Sequence, residues 1–387
     1  MKTKTYKLRL VAFFLVVLLT FILLEISTRL YYFISNRDIN NTRPSFYFTN
    51  KDALVDKRRF KSHPFLPYSP IENDSRKIIY YRSDINQNII YDYTQNSLGF
   101  RTPETSFEKP IKTKRIITLG GSTTWDGRVN DSTWPALLEK KLNVFYRNYK
   151  YKIEIINLAV DGANSATSLL NLSMLGVMYH PDLVISYDGV NDFFPSQWKN
   201  VIPDYRNKMQ KFNDNTFSFQ FIIPKWMFKS YFISSLSYII DKKFAAPMHI
   251  HAQIYKDSDI GNKYNTVSEG IYLYERNLRI MRGIANEYHC KFLGSIAHWV
   301  NVNQNLNAYD DSLRIYYKNQ SINYLDLQNI IPHNDYSIHV DEVHWTTKGL
   351  QLVADAWLKK IVDENLLEID TILVVKNHSR NIHSSDN

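Results

Sequence analysis

Cysteine is almost missing from this 387-residue chain, where Cys290 stands alone. One thiol allows no intrachain disulfide and no thiolate metal site. Its setting, Tyr-His-Cys-Lys-Phe-Leu, reads as the start of a buried strand and not as a nucleophile's neighbourhood. The Cys/His spacing of a zinc finger, the aromatic signature of an RNA-binding sheet and any internal repeat are missing too. No small-x-small cleavage site follows the N-terminal apolar run; the chain instead reads Glu25-Ile26-Ser27-Thr28-Arg29-Leu30. Charge of one sign is modest. Of the net +9, Lys2, Lys4, Lys7 and Arg9 supply four, and the remaining five are too diffuse to mark a nucleic-acid surface.

What is present is ordinary globular material. Apolar residues make up 44% and charged residues 22%, enough for a sizeable core in one large domain or two modest ones. Leu10 to Leu24 (LVAFFLVVLLTFILL) is uncharged, short against the roughly 20 residues that span hydrocarbon, but the apolar pattern resumes after Glu25 and runs through Ile34. With four cations ahead of it and no cleavage site behind it, residues 1–34 read as a cytoplasmic tip and an uncleaved, single-pass transmembrane anchor. A cleaved signal or a buried soluble helix accounts for less of this pattern. The cations keep the N-terminus cytoplasmic, so the remainder is expected in the periplasm or on the cell surface.

Residues 35–112 form a lead-in region with prolines at Pro44, Pro64, Pro67, Pro70 and Pro103, and with short runs such as Ile89-Ile90-Tyr91 that predict a few strands. From Lys114 the pattern alternates. Strands are predicted at 115–119, 152–158, 183–187, 292–296 and 322–327, and helices at 134–142, 165–178 and 272–287. Apolar strands without polar alternation, separated by helices, indicate an α/β fold with a parallel sheet covered on both faces. This domain spans 113–364. An aromatic-rich insertion at about 195–265 interrupts it, either a lid over a ligand site at the carboxyl ends of the strands or a satellite cluster. The C-terminal tail is 365–387, polar from about Asn377.

Four segments fall where strands end. Leu119-Gly120-Gly121-Ser122-Thr123-Thr124 permits a tight strand-to-helix turn that presents the Ser122 hydroxyl and N–H, although Gly-Gly-Ser alone is a common turn. Asn157 to Asn164 carries Gly162, able to offer an unobstructed N–H. Tyr187-Asp188-Gly189-Val190-Asn191-Asp192 supplies the Asn191 amide, with Asp192 placed to brace the loop; an Asx-type turn would use the same residues. His339-Val340-Asp341-Glu342-Val343-His344-Trp345-Thr346 puts an Asp three residues before a His, ahead of a helix with Leu350, Val353, Trp357 and Ile361 on one stripe. A carboxylate so placed can make the imidazole an oriented general base for a serine hydroxyl.

In this order the four segments resemble the blocks of the SGNH (GDSL-like) hydrolase superfamily, of the membrane-anchored bacterial type. The third, Gly189-Val190-Asn191-Asp192, fits the family's Gly-x-Asn-Asp pattern in full, whereas the first departs from it, with Gly121 where the better-known form has Asp. Asn96-Ser97-Leu98-Gly99-Phe100-Arg101 resembles a segment preceding the domain in anchored members. The resemblance covers roughly 113–364. It implies a flavodoxin-like three-layer α/β sandwich behind the transmembrane helix and ester hydrolysis through an acyl-enzyme, without a cofactor. Ser122 would be the nucleophile, with Asp341 and His344 completing the triad. Ser122, Gly162 and Asn191 would form the oxyanion hole. The substrate would be an acylated small molecule, lipid or glycan, O-acetyl groups on a surface glycan among them, with the membrane engaged through the N-terminal helix. Two other functions use the same residues: O-acyl transfer to a surface polysaccharide, and carbohydrate binding without catalysis. A metal site at His333, His339, His344, Asp335 and Asp341 matches no familiar zinc spacing and would leave Ser122 and Asn191 unexplained.

Overall fold

A computed structural model describes residues 2–43, 60–61, 63, 65–66, 68–82, 87–196, 205, 223–240, 271–333 and 335–369. Most of the insertion expected at about 195–265, and the tail from 370, lie outside the described residues. In chain order the helices are α1 (Lys2–Ser35), α2 (Ser122–Trp125), α3 (Trp134–Phe145), α4 (Ser165–Met174), α5 (Val190–Ser196), α6 (Tyr231–Ile240), α7 (Tyr272–Glu287), α8 (Gln304–Asn319), α9 (Leu327–Ile330) and α10 (Thr347–Asp363). The strands treated below are β1 (Ser75–Arg82), β2 (Gln87–Thr94), β3 (Thr113–Gly120), β4 (Lys152–Asn157), β5 (Leu183–Tyr187), β6 (Lys291–Ile296) and β7 (Asn323–Asp326). The chain divides into two compact units, one of Met1–Tyr68 with Met209–Lys256 and one of Ser69–Lys208 with Asp257–Asn387.

The larger unit is an α/β sandwich around a five-stranded parallel sheet in the order β4-β3-β5-β6-β7. Ile116, Ile117, Leu119, Leu183, Val184 and Ile185 are fully buried, because helices cover both faces and no strand position needs to face water. On one face α3 packs with α10, and on the other α4 packs with α7. The apolar stripe of α10 explains its seat: Leu350, Val353, Trp357 and Ile361 are all buried. Trp357 stacks on Trp134 with centroids 5.5 Å apart and meets Tyr187 edge-on. Thr346 caps α10, its hydroxyl accepting from Gly349 N at 3.3 Å.

The helix expected at 165–178 stops at Met174 and gives way to a 3-10 turn, Gly176–Tyr179. Glycine's poor helix propensity and His180 at φ +51 account for the change. Ahead of the sheet, β1 and β2 pair as an antiparallel hairpin, Ser75 opposite Thr94 through Arg82 opposite Gln87. Its Tyr93 packs edge-on against Trp125 of α2 at 4.9 Å. The neighbours of β3 are β4 on one side and β5 on the other, so the chain reverses its winding there. Loops after these three strands surround the crevice where doubly wound sheets bind ligands.

In the smaller unit α1 runs unbroken through Glu25. Tyr6–Ser35 is long and apolar enough to cross a membrane, with none of the apolar window buried within the protein. Helix α6 also belongs to this unit.

The aromatic layer under α10 gives a direct test of the packing. Trp357→Ala should lower unfolding free energy by about 3–5 kcal/mol, the usual cost of emptying a large core site. Denaturant unfolding followed by circular dichroism reads it; an unchanged midpoint would mean that this layer does not hold α10 on the sheet.

Candidate active site

Strand β3 ends at Gly120 and α2 opens at Ser122, so the serine stands on a tight turn at the edge of the sheet. Gly120 adopts φ +152, and a Cβ there would press on the Tyr187 carbonyl at 2.6 Å. At Gly121 a Cβ would stand 2.6 Å from Asn191 Nδ2 and 2.8 Å from Ala163 O. The missing side chain at this position therefore makes room for the Asn191 amide, which gives a physical reason for the departure from the Asp-Ser form.

Helix α2 is a single turn and cannot hold itself. Arg101 does much of this work: Nη1 donates to Trp125 O and Nη2 to Gly127 O, both at 2.9 Å, and Nε donates to Asn130 Oδ1 at 3.1 Å. Its guanidinium also lies 4.5 Å over the Trp125 ring. Asn157 Nδ2 adds a bond to Thr124 O at 3.3 Å. Sequence reasoning assigned Arg101 no such role; the one signal was its place at the end of the Asn96–Arg101 segment.

The second and third loops lie against this turn. Gly162 adopts φ +75, and among the described residues neither its N–H nor that of Ser122 donates to a protein acceptor. Asn191 Nδ2 donates to Ala163 O at 2.8 Å, which fixes the amide beside Gly121. Asp192 anchors that loop to the start of α4. One of its oxygens accepts from Ser165 N at 3.0 Å, and the other accepts from Ser165 Oγ at 2.5 Å and Tyr205 OH at 2.9 Å. Beneath it Asp188 accepts from Ser186 Oγ and Ser168 Oγ. Burial and the nearby Asp192 charge push the Asp188 carboxyl up to about 7.

The fourth loop is a small hairpin. His339 and Trp345 form an antiparallel bridge, Val340 N donates to His344 O at 2.8 Å, and Thr346 N donates to Ile338 O at 2.9 Å. Inside the turn Asp341 divides its oxygens. Oδ1 accepts from Val343 N and His344 N at 2.9 and 2.8 Å, and Oδ2 lies 2.7 Å from His344 Nδ1. Nδ1 thus carries the proton shared with Asp341, and Nε2 is left as the acceptor. Val340 packs against Trp125 and Ala159, which brings this hairpin to the Ser122 turn and the loop after β4.

Electrostatics bind the same groups. Burial disfavours the His344 cation, but the bond to Asp341, its charge, and the charges of Asp126 and Asp161 together raise the imidazole above its ordinary value. Burial likewise works against the Asp341 anion, yet its bonds to His344 and two backbone N–H groups hold it well below the usual carboxylate range. Asp126, whose N–H donates to Ser122 O at 2.7 Å, is driven up to about 6 by burial, against the pull of His344 and Arg101. Ser122 Oγ makes no hydrogen bond among the described residues; nucleophile–base contacts are often long before substrate closes them.

His333 and His339 do not join His344. They stack on either side of the buried His298, at 5.3 and 4.9 Å between centroids, and His339 also lies 4.3 Å from the Trp345 ring. The three rings pile face to face, and the stack packs the base of the hairpin. Among the described residues no group of three or more His, Cys, Asp or Glu side chains is placed to hold a metal ion.

If His344 acts as a general base it must be neutral to take a proton, so kcat/KM should fall as pH drops through its raised pKa, above the usual 6.5. Asp341→Asn removes the charge that raises it, so the acid limb should move to lower pH while kcat falls on the order of 10⁴-fold. A limb that stays in place would uncouple the two residues. If the Asn191 amide is an oxyanion donor, Gly121→Ala should displace it and lower kcat on the order of 10²-fold, as loss of one such donor does. Undiminished turnover would show that the amide does not need this space.

Residues 116–357 match the family model described as GDSL-like Lipase/Acylhydrolase. Among solved structures, a putative lipolytic protein of the G-D-S-L family from Desulfitobacterium hafniense is similar at 12% identity and TM-score 0.38, over 64% of this chain and 99% of that one. A putative GDSL-like lipase from Parabacteroides merdae aligns at 12% identity and TM-score 0.39, over 64% of this chain and 94% of that one. A variant of an acetyl xylan esterase from Geobacillus stearothermophilus aligns at 13% identity and TM-score 0.38, over the same shares. No curated protein matches. The family model spans well over half of the chain, and the chain belongs to the GDSL-like lipase/acylhydrolase family of serine ester hydrolases.

Proposed function

We propose that the protein hydrolyses an acyl ester through an acyl-enzyme on Ser122. His344 Nε2 takes the hydroxyl proton as Oγ attacks the carbonyl carbon, and Asp341 holds the imidazole and steadies the imidazolium. The N–H groups of Ser122 and Gly162, with the Asn191 amide, receive the oxyanion. His344 then returns the proton to the leaving alcohol. Water, deprotonated by the same nitrogen, attacks the acyl-enzyme and releases the acid. The observation that carries this reading is the Asp341 Oδ2–His344 Nδ1 contact of 2.7 Å, made in a hairpin packed against the Ser122 helix.

The substrate class we favour is an O-acylated glycan of the cell envelope. Beside the active hairpin, Val300 N donates to Glu342 O at 3.0 Å. Val300 also lines an open pocket of about 440 Å³ with Asn301, Asn307, Gln328, Asn329 and His333. Amide-rich walls match the hydroxyls of a sugar more closely than an acyl chain. The four cations in the first turns of α1 support an anchor with a cytoplasmic tip and a hydrolase domain outside the cytoplasm.

The full-length protein in detergent should release acetate from O-acetylated polysaccharide, and Ser122→Ala and His344→Ala should each abolish release while keeping the native circular dichroism spectrum. Asn301→Ala with Asn307→Ala should raise KM on polysaccharide but leave turnover of a small aryl acetate unchanged. Equal effects on both substrates would remove the pocket from glycan binding. Acetate release retained by Ser122→Ala would remove Ser122 from the reaction.

A further inference from the structure

Glu25 is an acid inside an apolar helix, and carboxylates at such positions are costly unless a partner meets them. Its partner lies more than 200 residues downstream. Helix α6 begins where Glu25 stands: Oε1 accepts from Tyr231 N at 3.1 Å, and Oε2 accepts from Phe232 N at 3.0 Å and Ser230 Oγ at 2.6 Å. Arg29 Nε donates to Oε1 at 2.7 Å and its guanidinium lies over the Tyr231 ring. The other two unclaimed amides at this end of α6 are satisfied as well, Ile233 N by Ser230 Oγ and Ser230 N by Met227 O. All four N–H groups that a helix normally leaves to water are therefore bonded within the protein.

The side chains follow suit. Ser234 Oγ donates to Phe228 O, Ser237 Oγ to Ser234 O, and Ser235 Oγ to Tyr32 OH. Phe21 meets Phe232 edge-on, and Tyr32 meets Tyr231. Contact thus runs from Phe21 to Tyr32, about 16 Å along the carboxyl-terminal part of α1. Leu236, Tyr238 and Ile239 of α6 remain exposed, the last 57%, and Trp226 ahead of the helix is 70% exposed. An apolar face of this kind on a ten-residue helix, with its polar groups met internally, is suited to hydrocarbon.

We propose that α6 is a second membrane-embedded helix, docked on α1 through Glu25 and covered elsewhere by lipid acyl chains. The occupant follows from continuity: the exposed apolar side chains of α6 adjoin the exposed apolar surface of α1. A groove of about 970 Å³ between the two helices is graded in the same sense, with Leu24, Phe232 and Ile239 along it and Asn36, Arg37, Asp38 and Thr42 just past the carboxyl end of α1. A bilayer phospholipid has that gradient, acyl chain against the former and polar headgroup against the latter. The hydrolase chain would then return to the membrane inside its insertion and be tethered twice.

The inference rests on reading α1 as a membrane span, and its test separates the two. In full-length protein lacking Cys290 (Cys290→Ser), Ile239→Cys and, as reference, Leu18→Cys are each labelled with bimane and placed in nanodiscs containing acyl-chain nitroxide lipid. Both labels should be quenched to a similar degree. Adding Glu25→Ala should at least halve quenching at position 239 and leave position 18 unaltered. Quenching at 18 without quenching at 239 would overturn the proposal alone. No quenching at 18 would overturn the span and the proposal with it. Quenching at 239 that is indifferent to Glu25→Ala would overturn the docking through Glu25.

Discussion

The Asp341 carboxylate gives one oxygen to the backbone and the other to an imidazole, and the arrangement of the active hairpin depends on that division. Two amide bonds to Oδ1 close the turn and fix the side chain in one rotamer. Oδ2 then meets His344 Nδ1 at 2.7 Å with no freedom left to search for it. The same bonds that build the turn keep the carboxylate ionised, and the ionised carboxylate raises the histidine. Local folding and acid–base chemistry are thus one set of contacts.

Around this hairpin the sheet supplies position and buried polar groups supply rigidity. Strands β3, β4 and β5 are neighbours, so the loops carrying Ser122, Gly162 and Asn191 emerge side by side. None of the three loops is held by the sheet alone. Arg101 clasps the carbonyls of α2, Asp192 ties the Asn191 loop to α4, and Asp188 takes two serine hydroxyls beneath it. Buried polar and charged groups are destabilising unless bonded, and here the bonds fix the loops that carry the candidate residues.

Much of this could be read from the chain because the strands are short, apolar and punctuated. Leu183–Tyr187 and Tyr272–Glu287 have the bounds that their patterns predict, the first a continuous buried run and the second an amphipathic helix. Helix α8 escaped because tyrosines replace aliphatics in its stripe, where Tyr309 and Tyr317 join Leu306 and Leu313 in the core. The family resemblance was legible through Gly189–Asp192 and the Asp341–His344 spacing, since Gly-Gly-Ser alone says little. What was not legible is long-range. Arg101 reaches 24 and 26 residues along the chain to carbonyls that have no sequence signature. Asp126 gains its raised pKa from burial that only the folded chain creates. Glu25 looked like an interruption of the anchor, because the helix it caps lies in the insertion.

Ser122 is proposed to become the nucleophile through His344 and Asp341. A fluorophosphonate reacts with a serine only where a base and an oxyanion site act together. Peptide mass mapping after exposure of the full-length protein should place a single adduct on Ser122, abolished by His344→Ala and slowed by Asp341→Asn. An adduct on another residue, or labelling of Ser122 undiminished in His344→Ala, would contradict it.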